Sequence, residues 1–140
     1  MIYLDTSCLL KLVRIESDSE AVAEAIDRES HVVISSLAEL EATIELKAGY
    51  LAGDYSLAQW RKLEARLSLL RNEEPFHFKD VPGSVWPIAS IEIRGQSTGT
   101  ADRLHLAALE QFRLIRLMTH DEGQSTAAEA LSVQVIRPGR

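Results

Sequence analysis

Short apolar runs alternate along the chain with longer segments of helical periodicity. The predicted strands are Ile2–Leu4, His31–Ser35, Phe76–Lys79, Leu114–Thr119 and Val133–Ile136. Most of them are brief and apolar at nearly every position, which is typical of parallel strands buried on both faces. We therefore predict a single α/β domain over residues 1–140, with a parallel sheet covered by helices on both sides.

The segments between the predicted strands have the spacing of amphipathic helices. The first helix contains Cys8 to Val13, and the others are predicted at Ser19–Arg28, from Ser35 to near Gly53, and at Ser56–Arg71, Val85–Ile93, Ala101–Phe112 and Ala127–Leu131. A polar loop is predicted at Gly95–Thr100. No apolar run approaches the ~18 residues that span a bilayer, so no membrane partner is expected.

Three acids compete for a functional role on the long helix that follows the second strand. Its apolar positions form one stripe that we expect to face the core, made of Leu37, Leu40, Ile44, Ala48 and Leu51. Glu41 falls on the margin of this stripe, Glu45 lies farther round, and Glu39 points nearly opposite. Glu39 also fits a capping box with Ser36. A carboxylate near the core is costly unless something compensates it, so Glu41 is the functional candidate.

Other acids occur where a parallel sheet binds its ligands, beyond the carboxyl ends of the strands. Asp5 follows the first strand directly, and Asp121 lies two residues after the strand that ends at Thr119. Asp102 falls in the first turn of a helix, where the helix dipole favours a carboxylate. Taken singly, each has an ordinary explanation as a turn or capping residue. His105 is expected to be a packed helix residue, and His120 to be exposed.

Four carboxylates in one cleft would repel each other unless a cation were present. Oxygen ligands without cysteine or paired histidine favour Mg²⁺ or Mn²⁺ over Zn²⁺. Such metal sites hydrolyse phosphodiesters. The net charge of −6, from 21 acids and 15 bases, disfavours a protein that merely coats nucleic acid. A bound metal nevertheless makes the acidic site compatible with a phosphate substrate.

The single cysteine, Cys8, cannot form an internal disulfide and is expected to pack as a small hydrophobic residue. Its solitary occurrence indicates a reducing compartment, and the N-terminus lacks the pattern of a signal peptide. We therefore expect a cytoplasmic protein.

Four motifs, in order, resemble those of the PIN-domain ribonucleases, and most closely the VapC toxins of bacterial toxin–antitoxin pairs. They are IYLDTSCLLKL with Asp5, VVISSLAELEA with Glu41, ADRLHLAAL with Asp102, and LMTHDEG with Thr119 and Asp121. The terminal VQVIRPG is also similar. Residues 54–95 match only in general pattern. The chain departs from the family at Arg103, where a small residue is commoner, and in the loop before Asp102.

The resemblance implies a three-layer α/β/α PIN-like domain and a Mg²⁺- or Mn²⁺-dependent endoribonuclease. It implies that Asp5, Glu41 and Asp102 hold the metal and that Asp121 is a further ligand, directly or through water. Thr6 and Thr119 would orient these carboxylates or the attacking water. The implied partners are an RNA substrate, a cognate antitoxin that occludes the active site, and a second copy of the chain in a homodimer.

Two other classes of function remain as alternatives. The first is another phosphate-cleaving metal enzyme. A haloacid-dehalogenase-type phosphatase requires Asp-x-Asp, but the residue two after Asp5 is Ser7, and a receiver domain requires a late lysine, whereas the last one here is Lys79. The second is a non-catalytic PIN-like binding module, which would have lost one or more of the four acids.

Overall fold

The central sheet is parallel throughout, and its first strand lies in the middle. A computed structural model describes residues 1–91 and 99–140. Its strands are β1 (Ile2–Leu4), β2 (Val32–Ser35), β3 (Phe76–Lys79), β4 (Arg116–Met118) and β5 (Gln134–Ile136). Their order is β3-β2-β1-β4-β5. β1 pairs in parallel with both β2 and β4, so the carboxyl ends of these three strands meet at one edge.

Helices connect the strands and cover both faces of the sheet. They are α1 (Thr6–Val13), α2 (Ser19–Ile26), α3 (Ser36–Leu51), α4 (Leu57–Leu69), α5 (Val85–Ala89), α6 (Thr100–Gln111) and α7 (Glu122–Ala130), with a 3-10 turn at Leu70–Asn72. In the part of the chain that the structure describes, no helix is long and apolar enough to cross a membrane.

Alternation of side chains along the strands divides the core into two layers. One face of the sheet, which includes Ile2 and Leu4, packs against α1 to α4. The other face, which includes Tyr3 and Leu117, packs against α5 to α7. The three-layer α/β/α arrangement expected from the sequence is confirmed, with a sheet that is wholly rather than mainly parallel.

The predicted core stripe of α3 is wrong. Leu40, Ile44 and Leu51 are 55%, 58% and 73% exposed, and Ala48 is exposed as well. The buried side of α3 is instead formed by Ala38, Ala42 and Leu46. Both sets have helical spacing, but the small alanines let the helix approach the sheet closely. Apart from the half-buried Leu37, the predicted stripe is left as an apolar strip on the surface, which we call the α3 strip (Leu40, Ile44, Ala48 and Leu51).

Several element boundaries also differ from the prediction. α7 begins at Glu122 rather than Ala127, because Asp121 caps it by accepting a hydrogen bond from the backbone N–H of Gln124 at 2.7 Å. α5 ends at Ala89, with the last two residues of the predicted Val85–Ile93 helix outside the described residues. The same holds for most of the predicted loop Gly95–Thr100, whose final residue starts α6.

Candidate active site

A cleft of about 850 Å³ lies at the carboxyl edge of the sheet, where β1, β2 and β4 give way to helices. All four predicted acids line it: Asp5, Glu41, Asp102 and Asp121. They come from the ends of two adjacent strands, from α3 and from α6. The structure therefore brings together the residues that the sequence had placed on four separate motifs.

Asp5 is the most buried of these acids, with only 4% of its surface exposed. It is the N-cap of α1, and its Oδ1 accepts hydrogen bonds from the Cys8 backbone N–H at 3.2 Å and the Ser7 hydroxyl at 2.7 Å. Its Oδ2 accepts one from Thr119. Two donors fill the acceptor positions of Oδ1, whereas Oδ2 has a single donor among the described residues and so keeps a lone pair for another partner. Burial raises the pKa of Asp5, against the opposing effect of these donors.

Two hydroxyls join the end of β1 to the end of β4. Thr119 donates to Asp5, and its oxygen accepts the Asp121 backbone N–H at 3.0 Å. The Ser7 hydroxyl likewise donates to Asp5 and accepts a hydrogen bond from the backbone N–H of His120 at 2.9 Å. The relative positions of Asp5 and Asp121 are therefore fixed by direct hydrogen bonds rather than by the strands alone.

Glu41 is held by two donors on one of its oxygens. Its Oε1 accepts hydrogen bonds from the Thr6 hydroxyl at 2.8 Å and from Nε2 of His105. The hydrogen bond from His105 is the main reason that the pKa of Glu41 lies below its usual range. Among residues 1–91 and 99–140, none donates to Oε2, which leaves that oxygen free at the cleft.

Among the described residues, 1–91 and 99–140, no side chain donates a hydrogen bond to Asp102. Burial is the main cause that raises its pKa, followed by the negative charge of Asp121 and, with smaller effects, those of Asp5 and Glu41. His105 opposes the shift only in part. Asp102 therefore experiences the electrostatic repulsion expected when carboxylates share a cleft.

The donor chemistry of the cleft fits a hard divalent cation. Carboxylate and hydroxyl oxygens line it, and oxygens of Asp5 and Glu41 retain free acceptor positions. Within the described residues, no three acids, histidines or cysteines converge closely enough to hold one ion together. A Mg²⁺ ion commonly uses only one or two carboxylates and completes its octahedron with waters and substrate phosphates, so this spacing suits it.

Three residues around the site behave differently from the sequence-based expectation. Glu39 does not form a capping box, since the N-cap is Ser35, and it pairs instead with Arg71 at 2.6 Å. His120 is buried rather than exposed, because its Nε2 bonds the Pro138 carbonyl at 2.6 Å. His105 is a packed helix residue as expected, but it also lines the cleft.

Three cations that the sequence did not single out also line the cleft: Lys11, Arg14 and Arg140. Lys11 and Arg14 face the cleft because they lie at the end of α1, and both approach Glu16. Arg140 pairs with Asp18 at 3.3 Å. The spacing of positions 11 and 14, which places them on one side of a helix, is the one sequence signal that could have indicated Lys11 and Arg14 as cleft residues. No sequence signal indicates Arg140.

Comparison with known proteins agrees with this fold. The family model for the PIN domain matches residues 2–130. Ribonuclease VapC35 of Mycobacterium tuberculosis is 32% identical over 146 aligned residues, which cover 100% of this chain and 98% of that protein. Ribonuclease VapC46 of the same organism is 32% identical over 139 residues, covering 98% and 97%. The chain belongs to the PIN-domain family.

Solved structures share the architecture at lower identity. FitAcB from Neisseria gonorrhoeae superimposes with a TM-score of 0.74 at 23% identity, covering 99% of this chain and 98% of that one. VapC20 of Mycobacterium tuberculosis, described as a sarcin-ricin loop cleaving toxin, gives a TM-score of 0.70 at 15% identity, with coverages of 91% and 95%. At these identities the likeness concerns the fold alone.

The raised pKa of Asp102 leads to a pH-dependent effect on stability. Protonated Asp102 stabilises the fold fully below its ordinary pKa of 3.8, and this contribution is lost as the pH rises through the raised pKa of the folded state. Without divalent metal, Asp102→Asn should therefore raise the melting temperature by a few degrees near pH 7 and leave it unchanged near pH 3. Asp54→Asn, at an exposed position outside the cleft, is the control. An equal gain at both pH values would contradict the assigned cause.

Proposed function

We propose that this protein is a Mg²⁺- or Mn²⁺-dependent endoribonuclease that acts as the toxin of a toxin–antitoxin pair. The observation that carries the proposal is the meeting of four carboxylates in one cleft, with acceptor positions on Asp5 and Glu41 that no described residue fills and an Asp102 whose pKa is raised by burial and by neighbouring acids. The ribonuclease names of its relatives support the choice of RNA as substrate. A non-catalytic module is disfavoured, because such a module has no need to retain all four mutually repelling acids.

The four acids divide the work at the site. Asp5, Glu41 and Asp102 are the proposed metal ligands, one or two of them in direct contact and the rest through bound water, with Asp121 as a further ligand directly or through water. When bound, the metal supplies Lewis-acid stabilisation of the phosphate charge and activation of water. Thr119 orients the Asp5 carboxylate, and Thr6 orients that of Glu41, so both present an oxygen to the cleft.

The cationic side of the cleft suits the phosphates that flank the reacting bond. Lys11, Arg14 and Arg140 line the same cleft as the acids. The Arg14 guanidinium is oriented by the Tyr55 hydroxyl at 3.3 Å and by Glu45 at 3.2 Å. A held guanidinium binds a phosphate at lower entropic cost than a free one. These cations would align the RNA backbone so that the reacting phosphate lies beside the four acids.

Replacing Asp5 by Asn should abolish metal-dependent RNA cleavage, because the change removes the charge but keeps the shape and the cap of α1. Glu39→Gln should leave the cleavage rate nearly unchanged, since Glu39 pairs with Arg71 outside the cleft. Cleavage rates of both variants, measured on a mixed RNA substrate with Mn²⁺, provide the check.

The same two variants separate metal binding from catalysis. At a hundredfold excess over its Kd, Mn²⁺ should stabilise the parent and Glu39→Gln by about 2.7 kcal/mol, and Asp5→Asn clearly less. If Mn²⁺ stabilises Asp5→Asn as much as the parent, Asp5 is not a metal ligand. If Glu39→Gln is inactive while Glu41→Gln is active, the assignment of Glu41 to the site is wrong.

The toxin and its antitoxin would act in the cytoplasm, where the free thiol of Cys8 stays reduced. The antitoxin would bind in a groove next to the cleft and so occlude the active site. The groove lies between the end of α1 and α4, is lined by Ile15, Tyr55 and Leu63, and shares Arg14 and Glu16 with the cleft. A partner segment could place an apolar side chain in the groove and an arginine among the acids. Among the apolar residues of α4, Leu63 lines this groove, Leu57 is 42% exposed, and Trp60 packs on the core.

Ile15 is the sharpest probe of this partner surface, because it is 85% exposed beside the groove and lies outside the core. Ile15→Asp should weaken antitoxin binding by about tenfold or more, as expected when a charge replaces a buried apolar contact, and leave cleavage intact. Ile115→Asp, 73% exposed just before β4, is the matched control. The affinity of each variant for the antitoxin is measured by calorimetry. If Ile15→Asp binds the antitoxin as tightly as Ile115→Asp and the parent, the groove is not the binding site.

We also propose that two copies of the chain associate through the α3 strip. A helix that is apolar on its buried side and also carries an apolar strip on its surface is unusual in a monomer. A two-fold contact would pair the strip with itself, as self-complementary dimer interfaces do. The strip borders the cleft at Ile44 and Ala48, so the two active sites would lie near the interface.

The double variant Leu40→Lys/Leu51→Lys should convert such a dimer to monomer, because it places like charges on an otherwise apolar interface. Leu69→Lys changes a similarly exposed leucine on α4, at 57%, and should leave the dimer intact. Sedimentation velocity distinguishes the two states. A parent that sediments as a monomer at high concentration would refute the dimer.

A further inference from the structure

A buried chain of hydrogen bonds runs from the start of α3 through the sheet to the cleft. The Ser35 hydroxyl lies 2.7 Å from the Tyr3 hydroxyl, which lies 2.7 Å from Nδ1 of His105. The other ring nitrogen of His105 contacts Glu41. Ser35 and Tyr3 have no exposed surface, and His105 is 4% exposed.

For a neutral His105 ring, the direction of every hydrogen bond in this chain follows from the Glu41 carboxylate at one end. The Glu41 carboxylate only accepts, so Nε2 of His105 carries a hydrogen and donates it. Nδ1 of a neutral ring then accepts from the Tyr3 hydroxyl, and the Tyr3 oxygen accepts from Ser35. At the far end, the Ser35 oxygen accepts the Ala38 backbone N–H at 3.1 Å. In this arrangement every donor has an acceptor.

The chain closes on itself through α3. Ser35 caps the helix that carries Glu41, and Tyr3 on β1 and His105 on α6 link the cap back to the Glu41 carboxylate. The geometry points to His105 as a positioning residue, which holds Oε1 of Glu41 so that Oε2 stays directed to the metal. The inference rests on the proposed metal role of Glu41.

Packing alone does not account for these contacts. A histidine that merely fills the core needs no partner on a side chain that reaches the cleft, yet Nε2 is bonded to Glu41, one of the two acids that α3 contributes to the cleft lining. Without His105, Thr6 alone would hold a long, flexible side chain. Groups that orient a metal ligand typically change metal affinity by 10–100-fold when they are removed.

Two substitutions of the same position separate the contact from the packing. In His105→Gln, the amide reaches the place of Nε2 and can still donate to Glu41. In His105→Asn, the shorter amide reaches only the place of Nδ1, so the Tyr3 contact is kept and the Glu41 contact is lost. Both variants lose the imidazole ring, which makes them matched controls for stability.

Mn²⁺ affinity is measured by calorimetry without RNA. His105→Asn should bind Mn²⁺ about tenfold or more weakly, and His105→Gln within about threefold of the parent. In a Glu41→Gln background the Asn substitution should have no further effect, because the two residues act through one contact. A general structural role would instead lower affinity in both backgrounds.

Nitrogen-15 NMR of histidine-labelled parent protein supplies a second readout that needs no variant. It should show the His105 hydrogen on Nε2 and a hydrogen-bonded, unprotonated Nδ1. The opposite tautomer would overturn the role of His105, and so would a His105→Asn variant that binds Mn²⁺ as tightly as the parent. In either case, weaker Mn²⁺ binding by Asp5→Asn would still support the metal site. A parent that binds no Mn²⁺ would instead overturn the proposed function.

Discussion

The negative charge of Asp5, buried at the end of the central strand, is the constraint on which the rest of the site depends. Burying a carboxylate is costly, and the fold offsets this cost with the Cys8 backbone N–H and the hydroxyls of Ser7 and Thr119. Those same donors bind the first turn of α1 to the end of β4. The hydrogen bonds that stabilise the charge thus also assemble the cleft.

Glu41 and Asp102 differ in how far neighbouring groups of the protein stabilise their negative charge. Glu41 has His105 and Thr6 on one oxygen, and its pKa is lowered. Asp102 is half-buried near three other acids, and its pKa is raised. A cleft that stabilises some of its carboxylates and raises the pKa of another is what the proposed cation site predicts. Natural proteins commonly accept such a loss of stability where function requires it.

The sequence was sufficient for the architecture and for the meeting of the four acids in one cleft, because strand ends in a parallel sheet converge by geometry and the motifs occur in order. It was insufficient for the face of α3, since Ala38 and Leu40 belong to two apolar sets of equal helical spacing, and only the close packing of alanines selects the buried one. The sequence also did not predict the contact partners of Glu39 and His105. Arg71 and Tyr3 are distant in sequence, and no local pattern signals such contacts.

The central claim is that this cleft binds a divalent cation through its carboxylates. Diffraction at the manganese absorption edge, from crystals grown with Mn²⁺ and without RNA, tests it most directly. The account predicts an anomalous peak within coordination distance of a carboxylate oxygen of Asp5 and at least one of Glu41, Asp102 and Asp121. A fully grown crystal with no peak in the cleft at saturating Mn²⁺, or with its peaks only at surface acids, would contradict it.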